Sequence, residues 1–386
     1  MTSWEDAGNT VLHQLITAGY EAYIVGGAVR DRLLNRPLRD VDICTTAAVE
    51  EILQLFPAAV AVGARHGTVV VPVNGLPVEV SEFKRKNGKG SLMTDLSLRD
   101  FTCNAMAMNE HGDLIDPFGG QAAINNRIIQ VVGGSPERFL EDPLRLLRAL
   151  RFAVELRFAI DPQTEAWMTA HAALAAEPAV ERIANELKKA ANNRLDKKAL
   201  IFLVFHPVCR QLPKLFSSEL LTKERLETMD ESLFIQGETE WWTLSAFSKA
   251  AEETRAVLKH YKVPNELQKK AGFLVDMVWK GLQTPWDRFD LYRLGKDNIV
   301  AGEKLRAMLS ASAPRVSELM SRYNQLPVHS SKDIAVSGND LLQWFPDHTG
   351  RDIGNALKLV ERQIVSGRLN NTKTEIQAWL TREKVL

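Results

Sequence analysis

Two carboxylates two residues apart, Asp40 and Asp42, are the side chains of this 386-residue chain best placed to do chemistry. They end the stretch 23–42, YIVGGAVRDRLLNRPLRDVD. Side chains alternate across a strand, so Asp40 and Asp42 share one face while Val41 and Ile43 take the other. Carboxylates that close repel each other unless a cation sits between them. Hard oxygen ligands beside a Gly26-Gly27 turn, where a helix opens with Val29-Arg30-Asp31, suit Mg²⁺ and a polyphosphate. Taken singly, Asp-x-Asp is usually a solvated strand edge and Gly-Gly a simple turn. The two together, with Arg30 between them, are far more specific. Neither GxxxxGK[ST] nor GxGxxG occurs, so this is not a Walker loop or a dinucleotide fingerprint.

The elements that must position these groups follow from local pattern. The apolar run 23–25 predicts a strand, and a second strand carries the two aspartates. A helix is expected over 48–56, then strands over 68–73 and 78–83 joined by Asn74-Gly75, a strong hairpin signal. Glu79 shares a face of the last strand with Ser81, opposite Val78 and Val80. It is a candidate third carboxylate, and equally an exposed strand glutamate. A basic, glycine-containing loop (84–90, KRKNGKG) precedes LRDFTCNA, which holds Arg99, Asp100 and Asn104. Residues 116–120, DPFGG, read as a turn. In EDPLRLLR (141–148), Asp142 suits the N-cap and Pro143 the first helical position. Arg145, Arg148 and Arg151 recur every three residues along one side of that helix. Leu146, Leu147, Leu150 and Phe152 look like core. Without the aspartate stretch, this helix reads as capped, with a solvated basic face. From about residue 190 the pattern is helical, with breaks at Pro207, Pro213, Pro264, Pro285, Pro314 and Pro327. Trp241, Trp242, Trp279, Trp286, Trp344 and Trp379 read as core rather than as platforms for stacked bases.

Composition sets limits. The chain is long enough for two or more domains. Its 45% apolar content is ordinary for a soluble protein, and its formal net charge is zero, so any nucleic-acid surface must come from local clustering. Cys44, Cys103 and Cys209 lack metal-site spacing and read as buried thiols of a reducing compartment. The N-terminal residues predict an amphipathic helix (Val11, Leu12, Leu15, Ile16) rather than a signal peptide, and no apolar run is long enough to span a membrane. The expected location is cytoplasmic.

The stretch 23–42 resembles motif A of the nucleotidyltransferases related to DNA polymerase β. In detail, GGxVRD followed by DxD resembles the class II tRNA nucleotidyltransferases and the bacterial poly(A) polymerases. LRDFTCNA resembles their RRDFTxNA, with Leu98 in place of the first arginine. EDPLRLLR matches EDxxRxxR, and AVERIANELKK (179–189), with Glu181, Arg182, Glu186 and Lys189, resembles the last family motif. DPFGG resembles the connector after the head, although Ala123-Ile124 stand where the family usually has Asp-Leu. SSKDIAVSGNDLLQWF and VSGRLNNTKTEIQAWL look like the tail of bacillus-type members.

That resemblance implies an α/β plus all-α chain. A polymerase-β-type head (1–136) would be followed by a helical neck (137–197), body (198–285) and tail (286–386). It implies Mg²⁺ as cofactor, two ions held by Asp40 and Asp42 with Glu79 as a further catalytic candidate. One ion would activate the tRNA 3′-hydroxyl and the other neutralise departing pyrophosphate. Gly26, Gly27, Arg30, Arg99, Arg148 and Arg151 would position the triphosphate, Asp100 and Asn104 the sugar side, and Asp142 and Arg145 the base. Glu186 and its neighbours would brace the neck. Lys332, Lys358, Arg362, Arg368 and Lys373 are candidates to meet tRNA phosphates, ordinary surface charge being their default.

An ionised Asp142 only accepts hydrogen bonds and Arg145 only donates them. Cytosine, with its N4 donor and its N3 and O2 acceptors, fits both. Uracil and guanine oppose both, and each mismatch costs roughly 1–3 kcal/mol. Adenine imitates cytosine through N6 and N1, so ATP use needs a larger, movable pocket. Full CCA-adding relatives carry a longer flexible loop before RRDFT, typically with a tyrosine, an aspartate and an Arg-Arg/His-Pro stretch. Here 83–90 passes almost directly into Asp95-Leu96. The expectation is therefore CC addition to tRNA from CTP, with tRNA (acceptor end and elbow) and CTP as partners and a separate A-adding enzyme acting next. The alternative is a full CCA-adding enzyme. Less favoured are a poly(A) polymerase, which often carries a basic C-terminal arm, and a non-catalytic tRNA-binding protein, which would lack a metal aspartate.

Overall fold

Asn74 and Gly75 both take positive φ (50° and 85°), the backbone that a two-residue hairpin turn of matching twist requires. They join β4 (Thr68–Val73) to β5 (Leu76–Glu82), as their sequence predicts. In this computed structural model, which describes residues 3–62, 67–86 and 89–386, that hairpin belongs to a seven-stranded sheet of order β3-β4-β5-β2-β1-β8-β9. Its other strands are β1 (Ala22–Val25), β2 (Val41–Thr45), β3 (Val60–Ala61), β8 (Ala107–Met108) and β9 (Leu114–Ile115). β2 runs parallel to β5 and antiparallel to β1, so the aspartate strand lies inside the sheet.

Alternation builds the core. Val41, Ile43, Val78 and Val80 are buried, while Glu79 between the last two is exposed. Helix α1 (Trp4–Thr17) is held at its start by a Ser3–Asp6 capping box and buries Val11, Leu12 and Leu15. Three more helices of the head are α2 (Gly27–Leu33), α3 (Val49–Leu55) and α4 (Leu92–Ser97). Between β5 and α4 lie nine residues, 83–91, containing the paired β6 (Arg85–Lys86) and β7 (Lys89–Gly90). Asn87 and Gly88, at the centre of the basic loop, lie outside the described residues.

The DPFGG turn is built by Asp116, whose carboxylate accepts from the Gly120 and Gln121 amides at 2.6 and 2.8 Å, starting α5 (Gly120–Asn125). Gly120 has no room for a side chain: a Cβ there would lie 2.4 Å from the Thr102 carbonyl. Ala123 and Ile124, which replace the family's Asp-Leu, are buried. The chain continues through β10 (Ile128–Ile129), α6 (Glu137–Glu141), α7 (Leu144–Leu156), β11 (Ala159–Ile160), α8 (Pro162–Ala170) and α9 (Val180–Ala191).

The chain divides into two compact units, Met1–Ala190 with Pro207–Leu212, and Ala191–His206 with Pro213–Leu386. Described by itself, the second is helical among its described elements. Trp241, Trp242 and Trp286 are buried there, and Trp344 and Trp379 pack against its core, as expected of core aromatics. The Trp286 indole donates to the Met277 carbonyl (2.8 Å) and fills space left open by Gly281, where a Cβ would come within 2.8 Å of the ring. Cys44, Cys103 and Cys209 are buried free thiols, and burial raises the pKa of each. Among the described residues no helix is long and apolar enough to cross a membrane.

Candidate active site

Asp42 is carried into the site by β2, opposite Val25 of β1 and beside Glu79 of β5. Asp40 immediately precedes the strand and is exposed. Burial pushes the Asp42 carboxyl up to about 6, and the negative charges of Asp40 and Glu79 push in the same direction. Arg99 and Lys84 draw it back down. No hydrogen bond or ion pair engages Asp40, Asp42 or Glu79 among the described residues. Unengaged, mutually repelling oxygen donors fit a hard divalent cation. The three acids do not converge into a preformed three-ligand cluster among the described residues, so the fit rests on Asp40 and Asp42, with Glu79 alongside.

Arg99 lies across the Gly26 turn. Its Nε and Nη2 donate to Asp95 Oδ2 at 3.1 and 3.0 Å, and Nη1 reaches the Asn104 carbonyl at 3.5 Å. Asp95, on α4, is almost fully buried and also accepts from the Lys84 amide. Sequence pattern alone gives Asp95 little prominence. Its one signal is the i, i+4 spacing to Arg99, acid first, which favours pairing on a helix.

Beneath the turn runs a chain of polar contacts. Arg30, buried on α2, donates to Asn104 Oδ1 (2.7 Å) and pairs with Asp31. The Asn104 amide donates to Asp100 (3.0 Å), which also accepts from its neighbour's amide at Phe101 and from Arg148. Burial would raise the Asp100 carboxyl, but Arg148, Asn104 and the Phe101 amide together hold it down at about 2. Arg148 reaches Glu186 of α9 at 3.7 Å, Glu186 accepts from Arg151 Nε at 2.7 Å, and Arg151 pairs with Glu155. Glu155 lies 3.9 Å from Arg36, just beyond α2. The Phe152 ring sits inside this chain, with the Arg30, Arg148 and Arg151 guanidinium carbons 5.1, 5.4 and 3.8 Å from its centroid.

Gly26, Gly27, Arg99, Asp40, Asp42 and Glu79 thus gather around the inner strands β1, β2 and β5, while Arg30, Asp100, Asn104, Arg148 and Arg151 are held in the polar chain beneath them. Asp142 and Arg145 stand at the break between α6 and α7. Asp142 is extended (φ −147°, ψ 96°), and α7 begins one residue later than the sequence suggests, with Pro143 at its cap. The Asp142 carboxylate still accepts from the Leu144 amide at 3.3 Å. Arg145 donates to the carbonyls of Leu98 and Arg138, both at 3.0 Å, and to Glu141. In the second unit, Lys332 and Lys358 line a 450 Å³ cavity with Ser337, Asp340 and Glu361, and Lys373 pairs with Asp340.

An α/β head with a carboxylate on an inner strand and a second just before it, entered from a Gly-Gly turn, has the form of a polymerase-β-type nucleotidyltransferase, and a helical unit follows it. Family models agree: one described as the poly A polymerase head domain matches residues 22–130, and one described as tRNA nucleotidyltransferase domain 2, putative, matches 234–380. The CCA-adding enzyme of Geobacillus sp. (strain WCH70) is 37% identical over 97% of this chain and 96% of its own length. That of Geobacillus stearothermophilus is 36% identical over 97% of each. The crystal structure of the Bacillus stearothermophilus CCA-adding enzyme in complex with CTP covers 100% of this chain and 98% of its own, with TM-score 0.84 and 34% identity. The Thermotoga maritima CCA-adding enzyme complexed with tRNA shares the fold at 20% identity and TM-score 0.70, covering 97% of this chain and 94% of its own. The chain belongs to the class II tRNA nucleotidyltransferase family.

Proposed function

We propose that this chain builds the 3′ CCA end of tRNA from nucleoside triphosphates, without a nucleic acid template and with release of pyrophosphate. The observation that carries the reading is the placement of Asp40 and Asp42, unengaged and beside Glu79, under the Gly26–Arg99 turn. The names of the relatives, CCA-adding enzymes, support addition of both cytidine and adenosine. Asp40 and Asp42 would hold Mg²⁺, which when bound supplies hydroxyl activation and charge neutralisation at pyrophosphate. Arg99 meets the triphosphate, held in place by Asp95. Arg30, Asp100, Asn104, Arg148 and Arg151 keep the turn and α7 in fixed relation, so their contribution is positioning. Asp142 accepts from the base and Arg145 donates to it, a pattern that admits cytosine. The head, neck, body and tail division at residues 136, 197 and 285 belongs to this proposal, as does tRNA contact through Lys332, Lys358, Arg362, Arg368 and Lys373.

One observation favours a narrower product. Only residues 83–91 separate β5 from α4, and part of that span is the paired β6 and β7. Asp142 and Arg145 cannot refuse adenine by hydrogen-bond pattern, so ATP use needs a movable element, and this span is short for one. That reading is CC addition from CTP, with a separate enzyme adding adenosine. The experiment is tRNA lacking its 3′ end, incubated with CTP, with ATP or with both, and read at nucleotide resolution. Products ending in CCA support the first reading, and products ending in CC the second. Absence of pyrophosphate release with any nucleotide overturns both.

A further inference from the structure

We propose that Arg182 is a positioning residue for base choice, acting through Asp142. This rests on the reading that Asp142 accepts a hydrogen bond from the incoming base. Asp142 lies in extended backbone between two helices, so no helical turn fixes its side chain. Two contacts do. The Leu144 amide donates to Oδ1 at 3.3 Å, and Arg182 Nη2 donates to Oδ1 at 3.3 Å and to Oδ2 at 3.0 Å. Arg182 comes from the first turn of α9, so it ties the α6–α7 break to a different helix.

The two halves of the base-reading pair are supported unequally. Arg145 is largely buried, and three of its donations go to Leu98, Arg138 and Glu141. Its plane is fixed without help from Asp142. The Asp142 side chain is 32% exposed, and Arg182 is the one guanidinium that engages it among the described residues. Arg182 itself is 53% exposed, and among the described residues it has no other hydrogen-bond or ion-pair partner. A pair so exposed adds little to stability. What it adds is orientation. Each carboxylate oxygen has two acceptor sites, so accepting from Arg182 leaves room for an exocyclic amine while fixing the plane from which that amine is met. A carboxylate free to turn could tilt away from an opposing carbonyl and would reject uracil less well.

The test measures kcat/KM for CTP and for UTP with the full chain and tRNA lacking its 3′ end. It compares wild type, Arg182→Ala, Arg182→Lys, Asp142→Ala and the double alanine variant. Arg182→Ala should lower the CTP preference roughly tenfold, equivalent to about 1.4 kcal/mol, with the change in the nucleotide KM and none in the tRNA KM. Arg182→Lys should restore part of it. The double variant should be no worse than Asp142→Ala, because the arginine acts through the aspartate. Thermal unfolding should show Arg182→Ala as stable as wild type. If Asp142→Ala loses preference while Arg182→Ala keeps it, or if the two losses multiply, Arg182 has no positioning role. If Asp142→Ala itself keeps wild-type preference, the base-reading assignment falls and the role of Arg182 with it.

Discussion

The Arg99 guanidinium occupies the space that a side chain on Gly26 would take, with Nη1 2.6 Å from where a Cβ would stand. The same Cβ would lie 3.6 Å from Asp42 Oδ2. Gly26 also has φ 73° and ψ −130°, a conformation costly for any other residue. Gly26→Ala should therefore displace Arg99 and strain the turn together, lowering turnover by roughly 100-fold or more and stability by about 1–3 kcal/mol. Gly75→Ala is the control. It shares a positive φ but meets nothing within 4 Å, so it should cost stability and leave nucleotide transfer intact. Urea unfolding and steady-state kinetics on the pair check this, and equal turnover in the two variants would refute it.

Asp40→Asn and Asp42→Asn should each abolish Mg²⁺-dependent transfer without unfolding the head. Asp42 is half-buried beside like charges and makes no hydrogen bond or ion pair among the described residues, so its neutral isostere relieves repulsion. Circular dichroism and unfolding curves should match or exceed wild type while product falls to background. Substantial turnover in either variant removes the metal assignment.

Local pattern revealed much of this site. Alternation placed Asp42 beside buried Val41 and Ile43, and Asn74-Gly75 announced the hairpin. It could not reveal that β2 inserts between β1 and β5, because strand order is decided by pairing between distant segments. Nor could it show which arginines are engaged by distant partners. Arg30 finds Asn104 74 residues away, and Arg151 finds Glu186 35 residues away. Both are thereby held by partners that spacing alone does not show. The Asp142 helix start moved by one residue because Pro143 carries the cap and leaves Asp142 extended.

Arg148→Met should destabilise the head by leaving the Asp100 carboxylate buried without its cation. Asp100 is held at about 2, below the ordinary 3.8, so it contributes stability that is fully present above pH 4 and is lost as pH falls toward 2. That contribution is about 2 kcal/mol. Denaturant unfolding of wild type and variant at pH 7 and at pH 3 should show a gap that narrows in acid. A gap that is constant with pH would mean that Arg148 contributes packing on Phe152 rather than charge.

The sharpest difference between the two products lies in the span 83–91. Phe83 is buried in the head core, and the Lys84 amide is bonded to Asp95, which in turn holds Arg99. Those residues cannot be lengthened without disturbing Arg99. The replaceable part is 85–90, which holds the paired β6 (Arg85–Lys86) and β7 (Lys89–Gly90). A relative's longer loop inserted there, with Phe83, Lys84 and α4 retained, should leave CTP addition unchanged and raise conversion of tRNA-CC to tRNA-CCA with ATP. If the span is the element that reshapes the pocket for adenine, the unmodified protein should carry out that conversion poorly, because only nine residues separate β5 from α4. Nucleotide-resolution gels on tRNA-CC with ATP alone decide it. Efficient adenosine addition by the unmodified chain would leave full CCA addition as the reading and show that pocket reshaping comes from elsewhere in the head.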